Sequence, residues 1–155
     1  MDSLLAMIGL WLSFNLSLPA PAEPPKIEFV SKQEILFRRY RAVTTQAQKE
    51  VLATFAATDT SANRREPVAI YDDASNTIYL PQGWSGTNTA DLSILVHEMV
   101  HHAQRHGGLR YECPAQREGI AYQAQDRWLR MFGKSLVEEF RLDEFTLKVS
   151  TACGF

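Results

Sequence analysis

The stretch Ser93-Ile94-Leu95-Val96-His97-Glu98-Met99-Val100-His101-His102-Ala103-Gln104 contains two histidines four residues apart, with a glutamate directly after the first. On a helix that turns about 100° per residue, His97 and His101 lie about 40° apart on neighbouring turns, so both imidazoles can grip one ion from one face. Neutral imidazole nitrogen suits Zn²⁺, whose catalytic sites take three protein ligands and keep a fourth position for water. Glu98 stands beside that face, where a carboxylate can take a proton from the water. The stretch also reads as a helix on its own terms. Leu92, Leu95, Val96, Met99, Val100 and Ala103 fill a broad apolar arc, while Ser93, His97, His101 and Gln104 form an uncharged polar stripe. Such a stripe fits the wall of a cleft better than open water.

The elements around this helix follow from its flanks. Asn88, three residues before Asp91, caps the N-terminus, and Gly107-Gly108 ends the helix, so it spans residues 89–106. Cys113-Pro114 opens a second helix over 114–132, with proline at its first position and Gly133 as its stop. Two histidines do not complete a catalytic zinc site. The pattern with a third His six residues after the second is disfavoured, because Gly107 holds that place. On the second helix, Glu118 shares a stripe with Ala121, Tyr122, Gln125, Leu129 and Phe132. A carboxylate on a core-facing stripe is costly unless it is paired or bound to metal, which makes Glu118 the third ligand of choice. The alternatives are a buried pair with Arg105 or Arg110, and Glu112 as a competing loop ligand.

The rest of the chain is ordinary globular material. Its 155 residues make one domain, with 45% hydrophobic and 22% charged residues. A net charge of −2 and the lack of a basic run give no sign of nucleic-acid binding, and nothing in the sequence sets an oligomeric state. Residues 3–22 read two ways. The apolar run with Ala20-Pro21-Ala22 after it resembles an export signal, which would place the protein in the periplasm or outside the cell. The absence of a basic residue before the run, and the stripe Leu4/Leu5, Ile8, Trp11/Leu12 and Leu16, favour a folded first helix over 1–18, compatible with the cytoplasm. The run is too short for a stable membrane span.

A proline-rich connector, 19–25, is expected to be extended, and Lys26–Val30 to form a short strand. Ser31-Lys32-Gln33-Glu34 is a capping box that starts a helix, and residues 41–57 also look helical, followed by a polar loop over 58–66. Residues 67–81 read as a β-hairpin, able to cover the helices or to offer an edge to an extended peptide. A second capping box, Ser135 to Glu138, starts a C-terminal helix and tail over 135–155, in which Phe145, Leu147 and Val149 alternate like a short strand. Cys113 and Cys153 either pair, which would imply export, or stay as buried free thiols. The fold class expected is α+β, a compact zincin-like domain with several helices on a small antiparallel sheet.

These residues carry a resemblance. His97-Glu98-x-x-His101 with a glutamate on the next helix resembles the gluzincin branch of zinc peptidases. The fuller pattern Leu95–Gln104, Tyr111-x-Cys113-Pro114, Arg117-Glu118, Ala121-Tyr122 and Trp128-Leu129 is similar to small bacterial gluzincin-like proteins. The resemblance implies a Zn²⁺ ion at His97, His101 and Glu118, a peptide or protein substrate, and Glu98 as the general base of peptide-bond hydrolysis. It departs from large gluzincins where Tyr122 stands four residues after Glu118 in place of an orienting Asp, and where no second lobe supplies an oxyanion donor. Tyr111, Tyr122 and His106 are candidates for that task, with Gln104 on the same stripe as a supporting residue. The alternative is a zinc-binding domain that uses the cleft only to hold a peptide or partner protein.

Overall fold

The computed structural model describes residues 1–41 and 69–153. The helix expected over 41–57, except its first residue, and the loop expected over 58–66 lie outside them, as do positions 67–68 of the hairpin. The elements are α1 (Asp2–Leu16), β1 (Lys26–Val30), α2 (Lys32–Arg41), β2 (Ile70–Asp72), β3 (Thr77–Pro81), α3 (Thr89–His106), α4 (Pro114–Arg130), α5 (Leu136–Phe140) and α6 (Glu144–Thr151). The architecture is α+β, with helices around a small three-stranded mixed sheet.

At the centre is α3, packed against α1, α4 and β2. Every residue from Leu95 to Gln104 is buried, so the polar stripe as well as the apolar arc is covered by neighbours. Its ends form as their residues dictate. The Asn88 side chain accepts from the Asp91 N–H, and the chain leaves the helix through Gly107 into Gly108, which adopts φ +62°. Gly107 has a packing reason as well, because a Cβ there would collide with the ring of Pro19. The proline-rich connector therefore lies against the end of α3, with Leu18 buried in the core. α1 lays Leu5, Ile8 and Leu12 into that core, and Trp11 meets the α4 residue Trp128 edge-on at 5.2 Å.

The sheet differs from an all-antiparallel one. The β2–β3 hairpin is antiparallel, with Tyr71 opposite Ile78, but β1 pairs parallel to β3, Lys26 opposite Thr77. A parallel neighbour requires a crossover, and the segment between β1 and β3 contains α2, which packs on β3. β3 is thus covered on both faces. Ile78 and Leu80 join the main core, while Tyr79 lies under the Arg38 guanidinium at 3.9 Å. Among the described residues β2 is an edge strand, and it lies beside α3.

Around α4, the helix ends at Arg130, and the backbone turns through Met131 to Gly133, so Phe132 is half exposed instead of continuing the buried stripe. The Ser135 side chain caps α5 by accepting from the Glu138 N–H. The segment Phe145 to Val149, expected as a strand, is helical as part of α6. Four residues apart on one face, Leu147 packs into a small core with Leu129, Leu136 and Phe140, and Thr151 rests on Gly119. That one-sided contact selects the helical period over the strand period.

Cys113 and Cys153 are bonded, joining the N-cap of α4 to the end of the tail. Closing a loop with a sequence separation of 40 residues restricts the unfolded chain by about 4 kcal/mol in the chain-entropy treatment. Cys153→Ser is expected to lower unfolding free energy by about 2–4 kcal/mol, measured by denaturant titration. The same loss should appear in the parent protein when reductant is added.

Candidate metal centre

α3 supplies His97 and His101, and the first turns of α4 bring Glu118 across from them. His97 Nε2 lies 3.2 Å from Glu118 Oε2, and His101 Nε2 lies 3.3 Å from Glu118 Oε1. One ligand atom from each of the three residues falls within 4.8 Å of the others, an arrangement able to hold a metal ion. Two imidazoles and one carboxylate suit a first-row divalent cation. Glu118 pairs with neither Arg105 nor Arg110, and Glu112 is exposed, bonding through its backbone to Gln116.

Each imidazole is turned to present Nε2 by a glutamine on its other nitrogen. Gln125 Oε1 lies 3.2 Å from His97 Nδ1, and Gln104 Oε1 lies 3.1 Å from His101 Nδ1. The donor–acceptor inventory settles which way these amides face. The Ser93 hydroxyl donates to the Ala90 carbonyl at 2.7 Å, so its oxygen accepts from Gln125 Nε2 at 3.3 Å. The Gln125 oxygen is then left for His97, which must donate from Nδ1. Gln104 donates through Nε2 to the Arg117 carbonyl at 3.1 Å, which turns its oxygen to His101. Both rings therefore carry Nδ1–H, and a metal would meet the bare Nε2 lone pairs.

Glu98 is buried in the wall of the same cleft, which has a volume of about 410 Å³. Its Oε2 accepts from the Tyr71 N–H at 2.8 Å, while no donor among the described residues meets Oε1. The edge strand thus spends one cleft-side group on Glu98, and the nearby Ala69 carbonyl accepts from Arg39 at 2.8 Å. Arg39, Asp73, Arg117 and Tyr122 also line the cleft.

The remaining candidates separate by position. Tyr122 lines the cleft, and its ring meets His97 edge-on at 4.8 Å. Gln104 supports His101. Tyr111 does not line the cleft; its hydroxyl is buried without a hydrogen-bond partner among the described residues. His106 points to Asn76 at 3.1 Å and sets its ring at a tilt against His102, outside the cleft lining. His102 is fully buried and satisfied, with Nε2 2.9 Å from the Glu23 carbonyl and Nδ1 near the Tyr71 hydroxyl. Sequence reasoning did not single out Gln125, although the argument that selected Glu118, a polar group on a buried stripe, applies equally to it. The parts of Ser93, Tyr71, Arg117 and Asp73 depend on contacts distant in sequence.

Electrostatics in the metal-free molecule follow from the convergence. Burial opposes the ionised form of Glu118, but hydrogen bonds from His101 and His97 outweigh it and hold the carboxyl well below the usual carboxylate range. For His101, burial disfavours the charged ring, yet the Glu118 hydrogen bond and the nearby Glu98 charge together raise its pKa. A proton thus serves where a cation would sit. The His101 contribution to stability is complete below the ordinary pKa of about 6.5 and vanishes as pH rises through the raised value. The Glu118 contribution is present above about 4.3 and vanishes as pH falls through the lowered value.

Two outcomes are expected. In chelator-treated protein, the melting-temperature advantage over Glu118→Gln should be largest between about pH 4.3 and 6.5 and shrink on either side. Gln125→Leu should weaken divalent-cation binding by about 10–100-fold, read by competition with a chromogenic chelator.

No curated protein and no solved structure matches the chain. Residues 1–153 match a family described as a domain of unknown function, DUF6647, and the chain belongs to that family.

Proposed function

We propose that this protein is a zinc-dependent peptidase of gluzincin type, with His97, His101 and Glu118 as the zinc ligands and Glu98 as the general base. The observation that carries the proposal is the convergence of three donors from two helices within 4.8 Å, in a cleft that Glu98 also lines. A bound zinc ion supplies Lewis acidity toward the carbonyl of a peptide and acidifies water. Glu98 takes the proton released during attack and passes it to the leaving amine, with one oxygen anchored by Tyr71 and the other without a donor among the described residues. Tyr122 is the candidate for steadying the developing oxyanion. Burial, its largest influence, raises its pKa, so the hydroxyl keeps its proton and remains a donor at neutral pH.

A second reading has its own observation. Glu98 ties α3 to the edge strand through the Tyr71 N–H, so the residue has a structural use that needs no turnover. On that reading the protein is a zinc-binding domain that holds a peptide or partner protein in the cleft.

Glu98→Gln separates the two. The amide oxygen still accepts from the Tyr71 N–H, but glutamine cannot take a proton. Zinc content measured by elemental analysis should remain, while cleavage of a denatured protein or peptide library falls by about 10²–10⁴-fold. Zinc-loaded parent protein that cleaves nothing across a broad library would sink the peptidase reading and leave the binding domain.

A further inference from the structure

Arg117 precedes the ligand Glu118, and its contacts join three parts of the cleft wall. Its Nη1 and Nη2 lie 3.0 and 3.2 Å from the two carboxylate oxygens of Asp73, in the turn of the β2–β3 hairpin. Its Nε donates to Gln104 Oε1 at 3.4 Å, and its carbonyl accepts from Gln104 Nε2 at 3.1 Å. The same Gln104 oxygen faces His101 Nδ1 at 3.1 Å. A guanidinium nitrogen only donates and a carbonyl only accepts, so Arg117 grips the Gln104 amide from both ends and forbids its reversal. A reversed amide would present N–H to His101 and invite the tautomer whose Nε2 carries the proton.

We infer that Asp73 and Arg117 are a positioning pair that, through Gln104, locks His101 in the tautomer competent to bind a metal. The inference rests on the metal reading of His101 and goes beyond it by assigning work to two residues that touch no ligand atom. Asp73 holds the guanidinium plane with two parallel hydrogen bonds, a geometry specific to arginine. A lysine at 117 keeps the charge opposite Asp73 but cannot bond Asp73 and Gln104 together with a planar fork. The hairpin turn and the ligand helix are thereby coupled to one imidazole.

The test uses Co²⁺ as probe on the full chain. Dissociation constants come from chelator competition, ligand geometry from the visible absorption bands of the bound ion, and fold integrity from melting of the metal-free protein. Arg117→Lys and Asp73→Asn should melt close to the parent, yet raise the Co²⁺ dissociation constant by about 10-fold with altered absorption. Arg117→Ala should weaken binding at least as much. Parent-like affinity and spectra in all three variants would overturn the inference while leaving the metal centre intact. So would the exchange Asp73→Arg with Arg117→Asp restoring both melting and metal affinity, since that pair rebuilds the hairpin link and keeps the backbone carbonyl bond at 117 but lacks the guanidinium bond to Gln104 Oε1. A parent chain that binds no Co²⁺ would overturn the metal reading and this inference together, a result distinct from the other two.

Discussion

A helix buried along ten consecutive residues, Leu95 to Gln104, carries five polar side chains into the interior, and the surrounding structure has to answer each of them. A buried polar group without a partner costs on the order of 1–3 kcal/mol. His97 is met by Gln125 and Glu118, Glu98 by the Tyr71 N–H, His101 by Gln104 and Glu118, His102 by the Glu23 carbonyl, and Gln104 by Arg117. Apart from Gln104, which meets His101 within α3, the partners come from the connector, the edge strand and α4, so satisfying α3 is also what assembles the domain around it.

That requirement explains why small details recur at the same place. Gly107 admits Pro19, which lets the connector lie where Glu23 can accept from His102. Pro114 starts α4 one turn before Glu118, and the Cys113–Cys153 bond ties that start to the turn just past α6, whose Thr151 rests on Gly119 beside Glu118. Glu118 is therefore held by covalent and packing constraints on its own helix, independently of the imidazoles it faces. Such support is what a metal site needs, because ligands displaced by an ångström lose affinity and geometry.

How far the sequence can be read depends on whether the controlling interaction is local. The helix caps, the histidine spacing and the stop at Gly107-Gly108 involve residues within one or two turns, and the structure shows them where the pattern places them. Glu118 was legible for another reason: a carboxylate on a buried stripe is costly anywhere, so its position demanded an explanation. The strand pattern of Phe145, Leu147 and Val149 misled because a short apolar alternation has no period of its own until a neighbour chooses one, and α4 chose the helical one. The parallel pairing of β1 was hidden because strand direction is set by the crossover that joins β1 to β3, and the pattern within a five-residue strand carries no sign of it.

The sequence alone determined the chemistry on offer: two imidazoles one helical turn apart, an acid beside them, and a second acid with a reason to be buried. How those groups are used was set by the packing of separate elements. It paired Cys113 with Cys153, set Gln125 and Gln104 behind the two rings, and brought Asp73 to Arg117 across 44 positions of chain. Those outcomes depend on donors and acceptors meeting across separate elements, and no local periodicity encodes such a meeting. A proton's place on an imidazole is settled by the last group in a chain of hydrogen bonds, which the fold alone brings into reach.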